Sequence, residues 1–302
     1  MRKALFTLLF CMLPILAVAA DKLDSRPRVA VISAFGPEWL TLKAALAEPQ
    51  SHAVNGIEFV TGRLSGRDVV LFLSGISMVN ATMSTQIALN RFDISGIVFS
   101  GIAGGVDPGL NVGDVVVADK WAQYLEATFA RDLGNRRYEL PPWKKPEQPN
   151  YGMIFPNAVE VRRANAAPEA KFWFEVDPGM LAAARRLNDV TLQHCASGTT
   201  CLEQKPRLVL GGNGVSGQAF VDNADFRRYV FDAFQARVLD MESAAVAMVA
   251  YANGVPFIAF RSLSDLAGGE KGGNEMATFM RLASDNSAAM VRRFLEVWAP
   301  PR

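Results

Sequence analysis

The chain has 302 residues, half of them apolar and a fifth charged, with a formal net charge of +1. That length suits one large α/β domain or two small ones, and the apolar share excludes a disordered chain. The near-zero charge lacks the basic surplus with which a nucleic-acid binder neutralises phosphates, so no nucleic-acid partner is expected.

Taken in chain order, Met1-Arg2-Lys3 supplies positive charge, Ala4 to Leu16 is almost wholly apolar, and Ala17 to Ala20 are small residues. This order reads as a secretory signal peptide over residues 1–20, cleaved near Ala19 or Ala20, with a mature domain over 21–302 that is secreted or periplasmic. Cys11 does not read as a lipoprotein site, because Phe10 before it is bulky. No later run is long enough to span a bilayer, so no membrane association is expected once the signal is removed.

Arg28 to Ser33 is a short apolar run, as a strand buried on both faces requires. Pro37 suits a first helical turn, and Trp39, Leu40, Leu42, Ala45 and Leu46 supply an apolar stripe after it. Ile57 to Leu64 and Asp68 to Leu73 predict strands joined by a turn at Ser65-Gly66-Arg67. A helix is expected over 79–89, and strands at Gly96–Ser100 and Asp114–Ala118. The stretch Arg131 to Asp177 carries Pro141, Pro142, Pro146, Pro149, Pro156 and Pro168 among scattered aromatics. It predicts a long irregular insertion, a functional loop or lid. Afterwards the alternation resumes. Helices are expected near 179–187, 224–234, 242–252 and 274–297, and strands near 207–210, 238–241 and 256–261. The whole predicts one α/β domain with a central mixed, mostly parallel sheet covered by helices.

Cys195 and Cys201 bracket a Ser-Gly-Thr-Thr turn. In an oxidising compartment they are a disulfide candidate, and two free thiols are the alternative. The chain holds only two histidines. A metal site is therefore not expected, and no cofactor is implied.

Two acidic residues stand at strand-to-helix junctions, where open α/β sheets bind ligands. Glu242, in Leu239-Asp240-Met241-Glu242-Ser243, can accept two hydrogen bonds from a vicinal diol, or can simply complement a helix dipole. Asp265, in Arg261-Ser262-Leu263-Ser264-Asp265, belongs to a site or serves as a helix cap. Glu38 follows the first strand and makes a convergent site of three acids the better reading.

Four segments carry a resemblance: Val31 to Glu38, Ser100 to Gly105, Ser216 to Val221, and Asp240 to Ala245 with Arg261 to Asp265. In that order they resemble methylthioadenosine/S-adenosylhomocysteine nucleosidases and their purine nucleoside phosphorylase relatives. The phrases Phe220-Val-Asp-Asn223, Asp240 to Val246 and Ser264 to Gly269, with the paired cysteines, resemble the plant bark and vegetative storage proteins of that superfamily more closely still.

The resemblance implies catalytic roles for Glu38 as the base acting on water, Asp265 as the acid protonating purine N7, and Arg261 near the water and Glu38. It implies substrate binding by Glu242 and Met241 at the ribose, by Phe220 and Val221 at the base, and by Ser264 and the glycine-rich Ile102, Ala103 and Gly104. Ile102 stands where nucleosidases usually carry a small polar residue. It also implies a homodimer or higher homo-oligomer. With so few histidines, carboxylates must supply both the acid and the base that cleavage of an N-glycosidic bond needs. Three readings follow for a chain whose partner is a small-molecule nucleoside. They are hydrolysis of a purine nucleoside, adenine by preference, because an Asp accepts from an exocyclic amine while donating to N7; phosphorolysis, with phosphate as second substrate held by Arg63, Arg67 or Arg261; and storage or binding with little turnover.

Overall fold

The computed structural model describes residues 22–187 and 189–300; the expected signal segment lies outside them. β1 (Pro27–Ser33) leads into α1 (Gly36–Ala44), followed by β2 (Ala47–Val54), β3 (Ile57–Leu64), β4 (Arg67–Leu73), α2 (Met78–Arg91) and β5 (Asp93–Gly105). β6 (Val115–Val117) and β7 (Lys120–Gln123) precede the insertion. There the short strands β8 (Ala127–Phe129), β9 (Arg131–Asp132), β10 (Tyr138–Glu139), β11 (Ile154–Pro156), β12 (Val159–Val161) and β13 (Glu169–Lys171) pair among themselves, outside the main sheet. β14 (Trp173–Glu175), α3 (Pro178–Ala184), β15 (Leu208–Leu210), β16 (Asn213–Ser216), α4 (Ala224–Phe234), β17 (Ala236–Asp240), α5 (Ser243–Asn253), β18 (Phe257–Asp265) and α6 (Met276–Val297) complete the chain.

The main sheet runs in the order β14-β7-β16-β17-β5-β1-β4-β3-β2, and β18 pairs with β5 and with β6, which in turn pairs with β15. β5 lies parallel to β1 and to β18, whereas β17 runs antiparallel to β5. The sheet is mixed, as the alternation of elements predicts, and helices cover it. Because β17 opposes β5, their carboxyl ends overlap, with Val238 opposite Gly105 and Leu239 opposite Gly104. The tips of β1, β5, β17 and β18 therefore converge on one place.

Local chemistry explains most of these elements. β1, β5 and β18 are buried on both faces, which is why they read as unbroken apolar runs rather than alternating ones. α6 buries Phe279, Leu282, Phe294 and Leu295 along one stripe. α5 is almost wholly buried, and its Ala-rich sequence lets it lie close to the sheet. Gly254, at φ 68°, ends α5 in the left-handed conformation that glycine adopts without a Cβ penalty.

Several expectations need correction. Leu40 belongs to no buried stripe: it is 47% exposed, and the helix ends before Leu46. β2 goes unread because its Pro49 and polar residues argue against a strand. It lies at the edge of the sheet, where the register slips between Ala47 and Gln50, so the missing N–H of Pro49 is tolerated. β7 and β16 are four-residue strands, too short for a periodicity to register. The insertion is not structureless, since β14 joins the main sheet through β7. Among the described residues no helix is long and apolar enough to cross a membrane.

Candidate active site

A cavity of about 340 Å³ opens where the four strand tips converge. That volume lies at the small end of the range typical of small-molecule sites. Its walls carry Glu38, Glu242 and Asp265, together with Phe220, Val221, Met241, Ser264, Ile102, Ala103 and Gly104. Every cavity residue expected from the sequence is therefore present, apart from Arg261. The walls also include Ala34, Phe35, Ile76, Ala219, Leu239, Asp240 and Met276, which sequence reasoning did not single out. Asp240 could have been found, since it stands in the same strand-end motif as Glu242. Ile76 and Met276 carried no signal.

Glu38 is 1% exposed. Its Oε1 accepts the Ile102 backbone N–H at 2.7 Å, and its Oε2 accepts those of Ala34 at 2.5 Å and Phe35 at 3.3 Å. The segment between β1 and α1 and the later part of β5 thus fix one carboxylate between them. Burial raises its pKa, and Arg261 and the three N–H donors oppose that rise.

Glu242 sits at the junction of β17 and α5. Its Oε1 accepts the Ser77 backbone N–H at 2.8 Å, and its Oε2 stands 3.4 Å from Arg261 Nη2. Burial pushes its pKa up to about 7; Arg261 pulls against that, and Asp240 and Glu38 add to it. Asp265 ends β18. Its Oδ2 accepts from Ser264 Oγ at 2.8 Å and its Oδ1 from the Ala267 N–H at 2.9 Å. Burial raises this pKa as well. Phe220 is 56% exposed at the mouth, its ring free to meet a ligand, and Val221 beside it is buried.

Arg261 lies beside Glu38, behind the cavity wall. It is fully buried and lines no part of the cavity. Its Nε donates to Ser243 Oγ at 2.9 Å and its Nη1 to the Ile102 carbonyl at 3.1 Å, while Nη1 lies 4.0 Å from Glu38. The guanidinium lies over the Phe99 ring at 4.1 Å. It stands behind the carboxylates and holds them, rather than facing the cavity. Arg63 and Arg67 are also elsewhere: Arg63 lines a separate surface pocket, and Arg67 Nε donates to the Leu295 carbonyl at 2.9 Å. The insertion contributes no residue to the cavity walls.

The structure joins Cys195 to Cys201 by a disulfide. The turn it closes places Leu202 against Val112, Phe279 and Leu282, in a small cluster separate from the main core. Among the described residues no three His, Cys, Asp or Glu side chains could hold a metal ion.

The fold and this arrangement of acids define a class that the comparisons identify. A phosphorylase superfamily profile matches residues 28–296, and the chain belongs to that family. Among its relatives, the 5'-methylthioadenosine/S-adenosylhomocysteine nucleosidase of Tolumonas auensis is 29% identical over 271 residues, covering 89% of this chain and 99% of the relative. That of Bacillus thuringiensis is 30% identical over 245 residues, 80% of this chain and 87% of its own. Among solved structures, the Neisseria meningitidis nucleosidase in complex with methylthio-immucillin-A superposes with a TM-score of 0.66 at 25% identity, covering 90% of this chain and 100% of the other. The Colwellia psychrerythraea nucleosidase in complex with adenine gives 0.67 at 26% identity, covering 90% and 96%.

Proposed function

We propose that this chain is an enzyme that hydrolyses the N-glycosidic bond of an adenine nucleoside. One observation carries the reading: three buried carboxylates from distant parts of the sequence surround one cavity, and among the described residues no lysine or arginine lines it. The relatives' names point to the same substrate class. In the reaction Asp265 donates its proton to purine N7, the C1′–N9 bond breaks, and its electron pair leaves with the base. Water attacks the oxocarbenium-like C1′ and gives a proton to Glu38, which releases free base and ribose. The raised pKa of Asp265 suits a donor. The N–H donors around Glu38 support its ionised form against burial. Glu242 accepts from the ribose diol.

Phosphorolysis fits less well. A phosphate needs cationic or N–H donors facing it, and the one arginine nearby is already committed to carboxylates. Incubation with and without phosphate separates the readings: ribose in both arms supports hydrolysis, and ribose 1-phosphate only with phosphate overturns it. No release of base in either arm favours the storage reading.

We also infer export and a homo-oligomer. The charged, apolar and small-residue order of residues 1–20 supports export, and the disulfide suits an oxidising compartment. The exposed apolar residues Ile76, Val79 and Met83, three and four apart around the start of α2, support association with another copy.

A further inference from the structure

Asp240 is the one acid of the site to which neither the resemblance nor the proposed reaction gives a role. It is 5% exposed, at the tip of β17. Its Oδ1 accepts the backbone N–H of Glu242 at 3.2 Å and of Ser243 at 3.1 Å, and it also accepts from Ser216 Oγ. Ser216 Oγ in turn accepts the Ala244 N–H at 2.8 Å. A single carboxylate oxygen therefore caps the start of α5 and fixes the backbone that carries Glu242. The other oxygen, Oδ2, stands 2.7 Å from Arg261 Nε. That Nε–H is aimed at Ser243 Oγ, so Oδ2 meets the guanidinium as a charge and receives no directed hydrogen bond of its own.

Three carboxylates therefore share one guanidinium. Asp240 takes its Nε side, Glu242 faces Nη2, and Glu38 faces Nη1. We propose that Asp240 is a positioning residue that apportions the charge of Arg261 between the sugar-holding Glu242 and the water-activating Glu38, and so sets the pH at which the nucleoside is bound and cleaved. This rests on the proposed hydrolytic reading.

The ionisable groups facing Glu242 are Glu38 from α1, Asp240 from β17 and Arg261 from β18; from the start of α2 comes only the Ser77 N–H. Beyond Asp240 lies the buried hydroxyl of Tyr124, whose pKa the Asp240 charge helps to raise. Two of the groups around Glu242 are negative and one is positive, so burial prevails and the carboxyl titrates near neutrality. Only the ionised form can accept both ribose hydroxyls without one oxygen acting as donor. Asp240 is thus a fixed negative neighbour that holds Arg261 while opposing the ionisation of Glu242.

Asp240→Asn tests this. The amide oxygen can still accept from Ser216, Glu242 and Ser243, which requires the amide NH2 to face Arg261 Nε, donor against donor. Arg261 is left to two carboxylates, and Glu242 loses a repelling charge. The acid limb of kcat/KM for an adenine nucleoside is expected to move to lower pH by roughly one unit. A role limited to capping α5 would lower the melting temperature and leave the limb in place, and that result overturns the proposal.

Binding of an adenine C-nucleoside, whose carbon–carbon bond resists hydrolysis, is followed across the same pH range by calorimetry. A binding limb that shifts in the variant sustains the proposal even where wild-type turnover is absent, which isolates failure of the catalytic reading. Absence of nucleoside binding by the wild type overturns both. Should Asp240→Asn not fold, Arg261→Lys carries the test: a lysine cannot face three carboxylates at once, so the limb must rise in pH. A limb that stays put overturns the proposal.

Discussion

The backbone N–H of Ile102 donates to Glu38 Oε1 at 2.7 Å, joining residues 64 positions apart. The contact explains how a glycine-rich strand end can serve the site although its side chain there is apolar: the main chain, rather than a hydroxyl, aims the carboxylate. Glu38→Gln must turn an amide NH2 toward one of these donors and removes the base. Its kcat is expected to fall at least ~100-fold, as for loss of one general base. Asp265→Asn should do the same by removing the donor to N7. Adenine release followed by absorbance measures both. Wild-type rates in either variant would show that the roles are wrongly assigned.

Stability should also depend on pH, in a direction that the buried acids fix. Glu242 is raised from 4.5 to about 7 in the folded chain. The folded state therefore binds more protons than the unfolded state between those values, and stability falls as pH rises through them. Glu38 and Asp265, both raised, act with the same sign. The melting temperature is expected to fall between about pH 4.5 and pH 7. Glu242→Gln should flatten that slope and weaken nucleoside binding. A variant whose slope equals that of the wild type would exclude Glu242 as its source.

Much of this site was legible before any coordinates, for a physical reason. Strand ends in an α/β sheet are short apolar runs that stop at a polar residue, so Glu242 and Asp265 marked themselves. Both acids line the cavity, whereas the burial of Arg261 behind them was not legible. Nothing in Phe260-Arg261-Ser262 says that a guanidinium lies under the acids instead of beside the ligand; the parallel register of β18 on β5 decides it, with Arg261 opposite Gly101. β2 escaped because edge strands need neither alternation nor a full set of N–H donors. The short strands of the insertion escaped because two- and three-residue pairings leave no period.

Ser77 adopts φ 78° and ψ 163°, a region almost confined to glycine. It does so where its N–H reaches Glu242, so the chain carries strain at the sugar-holding acid. Ser77→Gly adopts the same backbone without that cost. We expect a gain of about 1 kcal/mol, at the low end for such strain, with Glu242 still held. Urea unfolding measures it. Unchanged or lowered stability would mean that the serine side chain contributes more than its backbone costs.

The bridge between Cys195 and Cys201 makes two claims open to measurement. The unfolded, unreduced mature protein should contain no free thiol. Replacing both cysteines by serine should cost about 2 kcal/mol, the scale expected for a short loop, and should loosen Leu202 against Phe279 near the start of α6. Two titratable thiols in the untreated protein would refute the bridge.

Gly101 gives the most demanding test of how the acids are held. A Cβ there would clash with Arg261 Nη1 and stand 2.7 Å from Glu38 Oε1, closer than such contacts allow. Neither neighbour can retreat freely: the guanidinium is fixed by Asp240, Glu242 and the Phe99 face, and the carboxylate by three N–H donors. Gly101→Ala should therefore lower stability by about 1–3 kcal/mol, as overpacking does, and kcat at least ~10-fold, since a displaced base is a weakened one. If the loss of rate arises through Glu38, adding Gly101→Ala to Glu38→Gln should cost far less activity than in the wild type, because a misplaced base is of no consequence once the base is gone. Additive losses would place the damage elsewhere and break the link drawn between the glycine-rich strand and the water-activating acid.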